Sequence, residues 1–205
     1  MNLNKLKEAE AQFLSQYPGG FDDPGLAHIK KSHNVDQLAS FATEALAADR
    51  FNQPQRLCED VVKLVSRASM VSRFEKPPFK TFVDSLNSTD RERLASAIER
   101  RLHGRARQRG FEDLVGILAE HKLARWSIVS SIPFYFAPRK EVFVKPTTAK
   151  KIIAYLEVSD LEYHATPTWR FYRDYQQLLA AVRKQVAPSL APNYAALSGF
   201  LMTQI

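Results

Sequence analysis

The sequence predicts a mainly α fold, a single multi-helix domain over residues 1–205 with a small β element near residues 141–163. Three observations predict it. Apolar residues recur at three- and four-residue spacing through most of the chain, the mark of amphipathic helices. Only 7 Gly and 11 Pro punctuate 205 residues, with no low-complexity tract, which argues against extensive disorder. The stretch that reads best as a strand is short, Glu141-Val142-Phe143-Val144-Lys145, with a second short candidate at residues 158–163. A chain of this length, 45% hydrophobic and 25% charged, can bury a sizeable core.

The elements follow in order. Leu3, Leu6, Phe13 and Leu14 mark a first helix, ended by the turn Tyr17-Pro18-Gly19-Gly20. Asp23 before Pro24 reads as an N-cap with proline at the first helical position, opening a short helix that runs to about Lys31. Asn34 is placed to cap the next, with Val35, Leu38, Phe41, Ala42, Ala45 and Leu46 on one face. Pro54 opens another, with Leu57, Val61, Leu64, Val65 and Ala68 inward. The Pro77-Pro78 pair breaks the chain before Phe79, Phe82, Val83 and Leu86. The region from this pair to Asn87-Ser88, about residues 77–88, is the weakest seam, although no clear linker divides the chain.

Thr89 and Glu92 have capping-box spacing. The helix they would open uses Leu94, Ala97, Ile98 and Leu102 as its stripe and stops at Gly104. Gly104 to Gly110 reads as an exposed loop. A new helix begins after Gly110 with Phe111, Leu114, Val115, Leu118 and Ala119. The pattern from Trp126 to Ile132 fits either strand or helix. Thr147 or Thr148 caps a helix with Ile152, Ile153 and Leu156. Thr166-Pro167-Thr168 opens a long helix to about Val186, with Phe171, Tyr175, Leu178, Leu179 and Val182 inward. Residues 193–203 form an apolar tail that packs back on the core.

Charge is distributed unevenly. Residues 1–62 hold 6 Lys/Arg and 9 Asp/Glu, residues 63–151 hold 19 and 9, and residues 152–205 hold 4 and 4. The net charge of +7 therefore comes from the middle of the chain, and a localised excess can attract polyanions. Within it, residues 91–109 carry seven arginines against Glu92 and Glu99. Arginine's planar fork grips phosphate in a bidentate way and stacks on bases. Arg93, Arg100, Arg101, Arg105, Arg107 and Arg109 are the candidate nucleic-acid contacts. The apolar stripe faces the core, so Arg93, Arg100 and Arg101 are expected to point away from it. The plainer alternative is a solvated helix face whose arginines pair with acids elsewhere, such as those of residues 1–62.

A second anion site is suggested where the predicted strand meets the next helix. Free N–H groups at a helix start favour an anion. Lys145, Thr147, Thr148, Lys150 and Lys151 add hydroxyls and positive charge there, and the alternative is a threonine cap with surface lysines. No glycine-rich phosphate loop is present. Aromatics concentrate in residues 134–175, and Tyr135, Trp169 and Tyr172 are the candidates for base stacking; the alternative is core packing.

No catalytic residue, metal site or cofactor is assigned. The sequence lacks a Gly-x-Ser-x-Gly elbow, a His-Glu-x-x-His motif and a dinucleotide fingerprint. His28 and His33 lie near Asp22 and Asp23, but five residues is not same-face helical spacing, and Asp23 has a capping role. Cys58, the only cysteine, rules out an intrachain disulfide and reads as a buried, inert thiol. The N-terminal residues lack the apolar stretch of a signal peptide, and no apolar run approaches the roughly 20 residues of a membrane span. Together these point to a soluble cytoplasmic protein with no membrane partner.

Tyr17-Pro18-Gly19-Gly20-Phe21-Asp22-Asp23-Pro24, Lys122-Leu123-Ala124-Arg125-Trp126-Ser127 and Glu141-Val142-Phe143-Val144-Lys145-Pro146-Thr147-Thr148 resemble phrases of an uncharacterised bacterial protein family. The resemblance covers most of the chain. It implies a bacterial cytoplasmic origin and carries no activity, substrate or site residue. The leading expectation is a basic, non-enzymatic protein that binds nucleic acid through residues 91–109. The alternatives are an interaction module for an acidic protein partner and an enzyme acting on a phosphorylated small molecule at residues 145–151.

Overall fold

Side-chain caps and apolar stripes set the helix boundaries in the computed structural model, which describes residues 1–205. The Asn2 side chain accepts from the Lys5 N–H and opens α1 (Leu3–Gln16), which buries Leu6, Ala9 and Phe13. Asp23 caps a 3-10 turn at Pro24–Leu26 by accepting from the Gly25 N–H at 2.9 Å, and α2 (Ala27–His33) follows. Asn34 occupies the N-cap position of α3 (Val35–Ala45) but makes no side-chain capping bond there. It sits in the left-handed region at φ 45° and ends α2, a role that asparagine tolerates.

α4 (Pro54–Arg67) has the clearest apolar face, and it buries Leu57, Cys58, Val61, Val62, Leu64 and Val65. Pro77 and Pro78 do not break the chain. They occupy the first turn of α5 (Lys76–Ser85), where a missing N–H has no helical acceptor to lose. The cap of α6 (Ser88–Leu102) is Asn87, which accepts from Asp90, and not the Thr89–Glu92 box. α7 (Arg107–Glu120) begins one turn earlier than the sequence pattern suggests. Arg107 and Arg109 are therefore helical, and the loop shrinks to residues 103–106.

The stretch at Trp126 resolves as a helix, α8 (Trp126–Phe136), with every residue from Trp126 to Tyr135 buried. A helix apolar on all sides is a central one. It packs against α3 and α4, while α6 and α7 form the most extensive helix pair. α9 (Pro146–Tyr155), α10 (Trp169–Gln185) and α11 (Tyr194–Met202) complete the fold. Thr168 caps α10 by accepting from Phe171, and Phe171, Tyr172, Tyr175, Leu178, Leu179 and Val182 are buried. The core is continuous from Leu6 to Leu201 and includes Phe79, Phe82 and Val83. No helix is long and apolar enough to cross a membrane.

The chain is 71% helical with no strands, so the small β element expected near residues 141–163 is absent. Val142, Phe143 and Val144 are buried, but their backbone has no partner strand. The Val142 N–H donates to the Tyr172 hydroxyl at 3.3 Å and the Val144 N–H to the Ser130 hydroxyl at 2.9 Å. Side chains of α8 and α10 thus satisfy these two backbone donors, which a partner strand would otherwise have to satisfy.

Candidate functional site

The α6–α7 corner is built around Gly110. A Cβ there would lie 2.7 Å from the Arg100 carbonyl carbon and closer still to the Arg101 nitrogen, so only glycine lets α7 lie directly on the backbone of α6. This close crossing fixes where the arginines on both helices go.

Arg101 is the correction to the sequence reading. It does not point away from the core; it is 2% exposed and is withdrawn from any surface ligand. Its guanidinium donates twice to Glu141, at 2.6 and 3.3 Å. It lies 5.1 Å from the ring centroid of Tyr172 and 5.5 Å from that of Trp169, two rings that are stacked on each other. The Tyr172 hydroxyl donates to the same carboxylate at 2.8 Å. Burial works against the charge on Arg101, and the neighbouring Tyr172 and Glu141 outweigh it, so its pKa stays above the ordinary value. Burial, reinforced by the Glu141 charge, pushes the Tyr172 phenol well above its ordinary range. Breaking such a pair by removing one partner costs about 3–5 kcal/mol.

The other arginines divide into held and free. Arg91 donates to the carbonyls of Leu86 (2.9 Å) and Asp84 (3.2 Å) at the end of α5. Arg93 grips Glu120 with both terminal nitrogens, at 2.7 and 3.1 Å. Arg100 pairs with Asp113. Arg107 is exposed and reaches Glu141 only at 3.9 Å. Arg105 and Arg109 are exposed and have no carboxylate within ion-pair distance. The arginines that do pair find their acids in residues 113–141, not in residues 1–62. The N-terminal acids therefore leave this corner's charge in place. Arg101 and Glu141 balance each other inside the core, and Arg107 adds an exposed positive charge at the rim of that pair.

At the junction, Lys145, Lys150 and Lys151 are exposed. Neither Thr147 nor Thr148 is the cap. Lys145 takes the N-cap position of α9 without a side-chain bond, because Pro146 is the first helical residue and moves both threonines inside the first turn. Lys150 lies 4.8 Å from the Tyr163 ring centroid. The three stacking candidates pack internally: Tyr135 and Tyr172 are fully buried, and Trp169, half-buried, packs on Phe111 and Tyr172.

No three His, Cys, Asp or Glu side chains come together as a metal-holding group. His33 Nδ1 lies 3.0 Å from the Ser69 hydroxyl, and Asp23 caps the turn at Pro24. Cys58 is buried, and burial pushes its thiol up to about 11, far from the reactive range. The sequence reading missed Glu141 as the partner of Arg101. The available signal was an acid directly abutting the apolar run Val142-Phe143-Val144, since a carboxylate carried into the core with such a run needs a cationic partner there.

Comparison with protein-family models, with curated protein sequences and with solved structures finds no match.

Proposed function

We propose that this protein binds nucleic acid at the α6–α7 corner through Arg105, Arg107 and Arg109, with Lys145, Lys150 and Lys151 as a second phosphate contact. The observation that carries the reading is that Arg105 and Arg109 are exposed without acidic partners on either side of Arg107. Both flank a corner that the Arg101–Glu141 pair and Gly110 hold rigid. Arg93 and Arg100 are ion-paired and Arg101 is buried, so these three brace the surface and do not contact the ligand. A fixed helix crossing presents these arginines without a backbone-ordering cost on binding, and unneutralised charge raises the local concentration of a polyanion.

The test is fluorescence anisotropy of labelled DNA and RNA, single- and double-stranded, across a salt series. Affinity should fall linearly in log salt. The double substitution Arg105→Ala with Arg109→Ala should reduce the slope by about 1.8 on duplex DNA, since each lost phosphate contact contributes about 0.9. An unchanged slope would remove the corner from the interface. Absence of binding by the unmodified protein at low salt would overturn the reading as a whole.

A further inference from the structure

One large aromatic side chain stands out of the fold. Phe74, in the turn between α4 and α5, is 74% exposed, against buried or half-buried positions for the aromatics expected to stack. Its turn is braced from both sides. Ser72 Oγ accepts from the Phe74 N–H at 3.3 Å, and the Ser72 carbonyl accepts from the Glu75 and Lys76 N–H groups at 3.0 and 3.3 Å. Glu75 accepts from the Ser127 hydroxyl on α8. The ring is thus held outward on a fixed turn between the buried Val71 and Phe79.

The surroundings are positive. The Arg73 guanidinium lies 4.8 Å from the Phe74 ring centroid. Arg73 and Lys76 have no carboxylate within ion-pair distance, and the one acid of the turn, Glu75, faces Ser127. Exposed Arg125, the N-cap of α8, lies two residues from Ser127. We infer that Phe74 is a stacking platform for an unpaired base of single-stranded nucleic acid, with Arg73 and Lys76 as its phosphate contacts. The inference rests on the nucleic-acid reading above and names its strand state.

Three physical points favour that occupant. A lone ring can meet a base face only where the base is unstacked, which excludes the interior of a duplex. A single exposed Phe offers too little apolar area to anchor the protein in a bilayer, since membrane affinity scales with buried apolar surface. A preformed turn adds stacking energy without an ordering cost.

The experiment compares labelled oligo-dT with a duplex of similar length, using the full chain. Phe74→Ala should weaken oligo-dT binding about 5- to 150-fold and leave duplex binding unchanged. Phe74→Tyr should retain oligo-dT affinity, while Phe74→Leu, apolar but without a π face, should fall with the alanine variant. The melting temperature should not move, because Phe74 lies outside the core. Equal binding of oligo-dT by Phe74→Ala and the unmodified protein would overturn the inference, as would Phe74→Leu matching Phe74→Tyr. So would Phe74-dependent sedimentation with phosphatidylcholine–phosphatidylserine vesicles that is not matched on oligo-dT. If Arg105→Ala with Arg109→Ala reduces the salt slope but Phe74→Ala changes nothing, the nucleic-acid reading stands and this inference alone fails. If neither oligo-dT nor duplex binds the unmodified protein at low salt, both fail.

Discussion

Between Arg91 and Arg109 the protein holds most of its own arginines, whereas between Lys145 and Lys151 it holds none of its lysines through a carboxylate. The difference follows from side-chain chemistry and from packing. A guanidinium is planar and carries several fixed donors, so Arg91 can satisfy two carbonyls at the C-terminal end of α5, those of Asp84 and Leu86, and Arg101 can fill a carboxylate inside the core. An ammonium is a strongly hydrated point charge, and the α9 lysines lie on a helix with no acid beside them. Two segments of the same sign thus do different work. One is mainly structural with a free edge at Arg105 and Arg109, and the other meets no carboxylate, its one internal contact being Lys150 over the Tyr163 ring.

The largest test of that contrast is Arg101→Ala, expected to lower unfolding free energy by about 3–5 kcal/mol because buried Glu141 loses its bidentate partner and keeps only the Tyr172 hydroxyl and the distant Arg107. Chemical denaturation measures it. The double substitution Arg101→Met with Glu141→Leu should recover most of the loss, because the Tyr172 hydroxyl can then turn to the Val142 carbonyl, 3.3 Å away. A small effect of Arg101→Ala would collapse the distinction between the two segments.

Gly110→Ala comes next, expected to destabilise by roughly 1–3 kcal/mol through the clash with the Arg100–Arg101 backbone. It should also disturb polyanion binding, since it shifts the corner that presents Arg109. A normal melting temperature with normal binding would show that the crossing is looser than its geometry.

The pH dependence sharpens the structural side. Burial raises Tyr172 and Tyr175 well above the ordinary phenol range and Tyr135 to about 12. These folded-state values lie above the unfolded value of about 10. Their contribution is therefore complete below about pH 10 and is lost as pH rises through the folded values. Alkaline unfolding should show these phenols ionising together with loss of helical circular dichroism. Ionisation of all tyrosines before unfolding would contradict the burial of the Tyr172 cluster.

The smallest stability effect belongs to the junction. Lys150→Ala should change stability by less than about 0.5 kcal/mol, because Lys150 is exposed and makes no ion pair. If it contacts phosphate, the same substitution lowers the salt slope by about 0.9. A stability loss comparable to that of Arg101→Ala would erase the comparison.

Much of the helical scaffold was legible because caps and stripes are local. Pro54 before Leu57 and Val61 and Thr168 before Phe171 behave as their spacing indicates, while Asp23 caps a separate 3-10 turn at Pro24–Leu26 and the helix proper begins only at Ala27. Boundaries failed where two local signals competed. Asn87 outcompeted Thr89 as the cap of α6, and Pro146 displaced Thr147 and Thr148 from the cap of α9. The strand expected at Glu141–Lys145 failed for a non-local reason, since its backbone donors are taken by Ser130 and Tyr172.

The candidate site was legible only as a charge excess. By itself the sequence determined the helical class, the buried faces of the main helices and the location of the positive charge in the middle of the chain, because periodicity and composition are properties of neighbouring residues. Tertiary structure alone decided which arginines are free. That choice depends on Gly110 bringing α7 onto α6, on Glu141 arriving from forty residues away to meet Arg101, and on Phe74 lying beyond the reach of any core contact. Ion pairing and exposure are set by distances through space, which the order of residues along the chain does not encode locally.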